Sequence, residues 1–305
     1  MKSPRFDYVK PDSLPEVFEL LARHGEEARI LAGGQTLMAT LNMRLSEPAV
    51  LIDISGLSEL GGITLQGSTE EGGAAVDSGG EGGTLRIGAL VTHTEIEQSQ
   101  LIARHAPLIS AAAPHIGHRA IRNLGTFGGS IAYADPAAEW PACALALEGS
   151  IVLAGARGER RVPAIEFFEG LYTTRAVPGE IVTACEFPTL AAGSRHDFSE
   201  LARRHGDYAI AGLAAVGTRT DAAEGAGPRL ADVRLAFFAI ADRPVRARRA
   251  EGILAGAQID EDTLAAAVDS LGKEIDVKAD LTNSRQAKLH LVGVLMRRAI
   301  KRMCA

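Results

Sequence analysis

Two glycine-rich stretches about ninety residues apart constrain this 305-residue chain more than any other feature. The first, Ala32-Gly33-Gly34-Gln35-Thr36, follows a short apolar run, Arg29-Ile30-Leu31-Ala32, and leads into a helical pattern at Leu37, Leu41 and Leu45. Glycine lets a ligand oxygen approach successive backbone N–H groups, and the start of the next helix with the Thr36 hydroxyl favours a phosphate. A plain strand-to-helix turn is the competing reading. The second stretch, Arg122-Asn123-Leu124-Gly125-Thr126-Phe127-Gly128-Gly129-Ser130, offers a hydroxyl, accessible backbone donors and an apolar ring. A hinge or sheet-edge turn would have a similar composition. If the two loops converge, they can cradle the two ends of a long dinucleotide. Neither stretch is a GxGxxG followed by an acid about 20 residues on, so a Rossmann site is not indicated. No phosphate loop of the GxxxxGK type occurs.

Around these stretches the pattern alternates between helix and strand. Ser13-Leu14-Pro15-Glu16 reads as a capping box opening a helix that Gly25 closes, and Val50–Ile54 is a second short strand. The first 55 residues therefore form a β-α-β-like unit. From Gly62 the period approaches two, giving paired strands at 63–66 and 84–89, with the acidic, glycine-rich 68–83 between them as a surface excursion. Thr92 and Glu95 form another capping box for a helix over 93–105, and a further helix runs through 108–115. Residues 121–135 are poor helix formers and suit a ligand-lining loop. A helix over 136–147 carries Trp140, and a strand covers 150–154. The break at Ala176-Val177-Pro178-Gly179 places a domain boundary near 175. Beyond it come a strand at 181–187, a strand pair at 208–217 and 233–241, and two or three helices in 245–302 capped by Asp260 and Asp280.

Composition narrows the function. A net charge of -6 argues against a nucleic-acid backbone as the main partner. The first ten residues hold no apolar leader core and no stretch of about 18 apolar residues follows, so the expected location is cytoplasmic and the chain is not expected to span a membrane. Cys143, Cys185 and Cys304 are far apart, so neither a disulfide framework nor an iron–sulfur centre is expected within the chain, and His115 and His118 lack the companions of a metal site.

Four ordered segments, AGGQT at 32–36, TLRIGALVTHTEIE at 84–97, IRNLGTFGGSIAYADPAAEWPACALAL at 121–147 and RRHGDYAIAGLAAV at 203–216, resemble the FAD-binding medium subunits of the xanthine dehydrogenase and carbon monoxide dehydrogenase family. The resemblance implies an α+β fold. An FAD-binding domain of the vanillyl-alcohol-oxidase or PCMH type would cover 1–175 in two subdomains, about 1–57 and 58–175. A C-terminal α+β domain, 176–305, would carry a three-stranded antiparallel sheet and helices. It implies a pyrophosphate loop at Ala32, Gly33, Gly34, Gln35, Thr36 and Leu37. Its second motif falls on Thr126, Phe127, Gly128, Gly129 and Ser130, beside Asn123. Phe127 replaces a usual isoleucine at a position expected to approach the flavin, and Ser130 replaces a frequent asparagine. Glu139 stands where the family has an aspartate near the flavin. Ala176 stands where a leucine often covers the ring, leaving Tyr172 to fill that face. Asp207 and Tyr208 are expected to reach the flavin side from the second domain. No general acid or base is implied for this chain. By the same resemblance, a large subunit holds the molybdenum cofactor and a small subunit holds two [2Fe-2S] clusters. Electrons pass through those clusters to FAD and on to an external acceptor, in a dimer of heterotrimers. A self-contained FAD oxidase or dehydrogenase and a structural subunit with a degenerate nucleotide site are the competing functions.

Overall fold

The computed structural model describes residues 2–67, 83–191, 193–220 and 227–305, so the acidic excursion expected at 68–83 lies almost wholly outside the described residues. The first unit comprises β1 (Asp7–Val9), α1 (Leu14–His24), β2 (Ala28–Leu31), α2 (Leu37–Asn42) and β3 (Val50–Asp53). Its three strands are parallel in the order β1-β3-β2. β3 is buried at every position, as a central parallel strand must be, and α1 lays Val17 and Leu20 against it. Ser13 caps α1, but the Glu16 carboxylate accepts from the Asp12 N–H at 2.9 Å rather than closing the expected box. α2 is shorter than its apolar spacing suggested. Arg44 turns left-handed (φ 57°), only Leu41 is buried, and Leu45 is left exposed.

The next unit runs β4 (Ile63–Gln66), β5 (Thr84–Gly88), α3 (His93–Gln98), α4 (Gln100–His105), α5 (Pro107–Ala112), α6 (Arg119–Arg122), α7 (Phe127–Tyr133), α8 (Glu139–Ala146), β6 (Ser150–Gly155), β7 (Gly158–Pro163), α9 (Ala164–Phe167), β8 (Phe168–Gly170), β9 (Thr173–Thr174) and β10 (Ile181–Pro188). Thr92 and Glu95 make the full capping box of α3. The single helix expected over 93–105 is two, because Ser99 leaves the helical conformation and caps α4. The loop expected over 121–135 instead contains α6 and α7. Thr126 accepts from the Gly129 N–H, and burial of Phe127 and Ile131 outweighs the poor helix propensity of the two glycines.

The antiparallel sheet β4-β5-β10-β6-β7 closes this unit. Its middle strand, β10, pairs with both β5 and β6. That strand follows the boundary expected near 175, so that division cuts through the sheet. Val177-Pro178-Gly179 is a turn within the unit rather than its end, because β10 has all its backbone partners there.

The remaining elements are β11 (Ser194–Leu201), β12 (Ala211–Thr220), β13 (Arg229–Phe238), β14 (Val245–Arg246), α10 (Arg248–Leu254), α11 (Glu261–Glu274) and α12 (Arg285–Cys304). Three long antiparallel strands and the two-residue β14 make one sheet. One face is covered by α10–α12. The other joins the central core through Ala214, Val216, Ala236 and Phe238. Between the two antiparallel sheets lies α8, buried from Trp140 through Ala146, which explains its nearly continuous apolar sequence. β11 has the polar sequence SRHDFSEL and is absent from the sequence expectation. It pairs along its whole length with β12, and Arg302 from α12 holds its buried Asp197. Asp260 caps α11 as expected. Ser284, not Asp280, caps α12, while Asp280 holds the preceding turn and pairs with Lys288 at 2.8 Å.

Candidate functional site: a cavity lined by two glycine loops

The two glycine stretches meet. A Cβ added to Gly33 would lie 2.0 Å from the Leu124 carbonyl oxygen, and one added to Gly129 would lie 4.0 Å from Ala32 Cβ. The glycine at 33 is thus demanded by loop-to-loop contact. Gly34 is demanded by its backbone, which takes φ 70°. Gly128 lets α7 pack on the turn after β5, where an added Cβ would lie 2.4 Å from Ala89 Cβ.

These loops form one side of a cavity of about 510 Å³, within the size range of cofactor sites. Ala32, Gly33, Gly34, Gln35, Thr36 and Leu37 line it together with Thr126, Gly128, Gly129 and Ser130. Thr36 precedes α2 without using its side chain as a cap, which leaves its hydroxyl to the cavity. Glu139 from the start of α8, Ala176, and Asp207 and Tyr208 from the loop before β12 complete the other part of the wall. That last loop reaches the first domain through Gly206, where an added Cβ would meet the Gly117 carbonyl oxygen at 2.9 Å. Arg122 braces the facing turn. Its guanidinium donates to the Gly117 carbonyl at 3.0 Å and to the Glu97 carboxylate at 3.1 Å.

Three of the residues singled out from sequence stand off this wall. Phe127 is fully buried behind it, its ring against Trp140 and Phe187, because the first residue of α7 points into the core. Asn123 accepts from the Thr94 hydroxyl at 2.8 Å on the outer side of the loop. Tyr172 sits at the β8–β9 turn with φ 52°, half exposed, its ring 5.1 Å from that of Tyr133. Burial, Asp135 and Tyr133 push the Tyr172 hydroxyl up to about 12.

The cavity has residues that sequence reasoning missed. His93 lines it at the start of α3, and its Nδ1 accepts from the Trp140 indole N–H at 3.1 Å. An indole nitrogen only donates, so the imidazole proton resides on Nε2. Burial, with Arg122 nearby, lowers His93 to about 4, which keeps it neutral. The capping signal at Thr92 located this helix in the sequence, but nothing there tied His93 to a tryptophan 47 residues away. Asp135 and Tyr133 also line the wall. Burial raises the Asp135 carboxyl. Glu139 lines the cavity, and burial, then Glu200, then Asp135 push it up to about 8. The cavity lining is therefore chemically unequal. The glycine loops offer backbone N–H groups and a hydroxyl suited to an anion, while the other part offers Glu139 and Asp135, whose proton affinities burial raises.

Among the described residues no group of three or more His, Cys, Asp or Glu side chains could hold a metal, and no helix is long and apolar enough to cross a membrane.

Residues 4–190 match the family described as the FAD binding domain in molybdopterin dehydrogenase, and residues 196–303 match the CO dehydrogenase flavoprotein C-terminal domain. The chain is 36% identical over 300 residues to the nicotine 6-hydroxylase medium subunit of Paenarthrobacter nicotinovorans, covering 98% of each. It is 31% identical over 300 residues to the carbon monoxide dehydrogenase medium chain of Hydrogenophaga pseudoflava, covering 98% of this chain and 97% of that one. A solved structure of carbon monoxide dehydrogenase from Hydrogenophaga pseudoflava, lacking the Mo-pyranopterin moiety of its cofactor, superposes with a TM-score of 0.90 at 33% identity over 100% of both chains.

Proposed function

Because the chain belongs to the FAD-binding medium subunits of the molybdenum hydroxylase family, we propose that its cavity holds FAD for electron transfer between an iron–sulfur partner and an external acceptor. The observation that carries this reading is the contact of Gly33 with Leu124, which brings the two backbone cradles onto one cavity. A cavity bordered by loop N–H groups at one part and by Glu139, whose raised proton affinity favours its neutral form, at another fits a ligand with an anionic diphosphate and a polar, uncharged ring system. The flavin supplies the capacity to accept and release electrons, and the protein supplies its position and electrostatic surroundings.

On this reading Ala32–Leu37 with Thr126, Gly128, Gly129 and Ser130 grip the pyrophosphate, the Thr36 hydroxyl contributing a donor. Glu139, Ala176, Asp207 and Tyr208 border the flavin end. Asn123 shapes the second loop from outside, Phe127 holds α7 in the core behind it, and Tyr172 guards the rim beside Tyr133. We place the division between the FAD-binding and C-terminal domains in the turn after Pro188, where β10 ends. The chain's partners are a large subunit with the molybdenum cofactor and a small subunit with two [2Fe-2S] clusters, assembled as a dimer of heterotrimers in the cytoplasm. Substrate chemistry belongs to the large subunit.

Native purification with subunit masses, flavin extraction and metal analysis tests the reading. The expected result is one FAD per copy of this chain, with molybdenum and iron only in the other subunits. The isolated full chain is reduced by a small chemical reductant and leaves N-heterocycles untouched. Hydroxylation by the isolated chain, or a chain that takes up no flavin, overturns it.

A further inference from the structure

His93 has one ring nitrogen engaged by the protein and one that is not. Nδ1 accepts from the Trp140 indole N–H at 3.1 Å, which places the proton on Nε2. Among the described residues no acceptor meets that Nε2–H. Two side-chain polar atoms there are fully enclosed without a partner, Glu200 Oε2 and Arg234 Nε. His93 Nε2 is not sealed in this way, so the 5% of the residue that stays exposed opens on the cavity it lines.

The ring edge that carries Nε2 lies where the two loops meet. A Cβ added to Gly125 would fall 2.8 Å from Nε2 and 2.9 Å from Cδ2, and one added to Gly33 would fall 3.0 Å from Gly125 Cα. Backbone bonds hold the edge in place. The His93 N–H donates to the Gly125 carbonyl at 3.0 Å, and the Phe127 N–H donates to the Val91 carbonyl at 2.8 Å. Among the described residues the only Arg or Lys in the cavity lining is Arg29, and its Nη1 is committed to the Glu26 and Ala28 carbonyls. Neutral donors are therefore what this junction offers an anion. The Nε2–H is strengthened by the indole N–H behind it, since hydrogen bonds in a chain polarise one another.

We propose that His93 Nε2–H donates to a diphosphate oxygen of the bound cofactor, and that Trp140 is the positioning residue that keeps this donor turned toward it. The inference deepens the FAD reading and rests on it. Burial keeps the imidazole neutral, so the bond forms without taking a second ion out of water.

The test is nitrogen-15 and phosphorus-31 NMR of the full chain labelled in histidine, at about pH 7.5, above the ordinary histidine range. FAD uptake is read separately by quenching of flavin fluorescence. The His93 signals are identified by their loss in His93→Gln. In the natural chain Nε2 carries the proton with and without FAD, and adding FAD moves the Nε2–H proton downfield and slows its exchange with water. His93→Phe removes the donor at similar volume. It weakens FAD binding by about tenfold or more, the range of a hydrogen bond to a charged group, and shifts a phosphorus resonance of bound FAD. A ring that only packs against Trp140 would leave both phosphorus resonances in place. His93→Gln, which brings an amide donor, recovers most of the affinity. Trp140→Phe frees the tautomer, so a share of the His93 ring carries its proton on Nδ1. Circular dichroism establishes folding, and should His93→Phe not fold, the FAD titration of the natural chain decides by itself. FAD uptake with an unmoved Nε2–H signal, a natural ring protonated on Nδ1, or phosphorus resonances unchanged in His93→Phe overturns the donor. An unchanged tautomer in Trp140→Phe overturns the positioning role. Absence of FAD uptake sinks the flavin reading and the donor with it, and the fluorescence tells that failure from the others.

Discussion

Replacing Gly33 with alanine tests the contact on which the cavity depends. The new Cβ would lie 2.0 Å from the Leu124 carbonyl oxygen and 2.8 Å from its carbon, and real Cβ atoms essentially never come within 3.0 Å of a neighbour. Both obstacles are backbone, so no side chain can swing aside, and the loops must separate by about 1 Å. Overpacking of this kind costs about 1–3 kcal/mol. Part of that cost is relieved if the loops open, and opening displaces one cradle from the other. If the strain is borne by the bound state, FAD affinity falls by about 5- to 100-fold, at about 1.4 kcal/mol per decade. The assay is flavin fluorescence quenching on titrating FAD into the flavin-free chain, with the thermal midpoint of the same samples. Gly252→Ala is the control. That glycine lies within α10 with no atom within 4 Å of an added Cβ, so its affinity and midpoint hold or the midpoint rises slightly. Gly33→Ala with both natural affinity and natural midpoint would refute the claim that this contact sets the cavity.

Two further outcomes follow from the electrostatics. His93 is lowered to about 4 from 6.5, so between those values the unfolded chain binds the proton that the folded chain refuses. Its contribution is fully present above pH 6.5 and is lost as pH falls toward 4, by up to about 3 kcal/mol. Glu139 has the opposite sign. Its raised affinity contributes fully below pH 4.5 and is lost as pH rises through about 8. The His93 effect is therefore read as the stability difference between the natural protein and His93→Gln, which still offers Trp140 an acceptor. That difference shrinks between pH 7 and 5, and a pH-independent difference refutes the buried neutral imidazole. Asp197→Asn loosens the two-point grip of Arg302, which ties β11 to α12. Arg302 is half exposed, so the expected loss is about 1–3 kcal/mol, read by urea unfolding followed by circular dichroism. An unchanged unfolding midpoint refutes it.

The legible parts of the sequence were those governed by local chemistry. Ser13, Thr92 and Asp260 begin helices where hydroxyl or carboxylate groups meet free N–H groups, and β3 opens with the apolar run Val50-Leu51-Ile52 of a strand covered on both faces. The glycine loops were visible for the same reason, since few residues other than glycine permit such turns and close approaches. The order of the four motifs pointed to the family, and the family matches over 4–190 and 196–303 agree with it. What escaped was whatever depends on residues distant in the chain. β11 reads as polar until β12 and Arg302 supply its partners. Residues 127–133 read as a loop until the core buries Phe127 and Ile131. The turn at 177–179 reads as a boundary until β10 is seen hydrogen-bonded between β5 and β6.

The sequence by itself determined where the backbone can turn, where helices can start and which residues can approach an anion, because those properties reside in a residue and its immediate neighbours. Only the tertiary structure decided which of these residues share a cavity. It turned Phe127 inward, set Asn123 outside and fixed the proton of His93 through Trp140. The physical reason is that burial and charge coupling are set by distance in space, and residues far apart in sequence acquire that distance only when the sheets and α8 pack together.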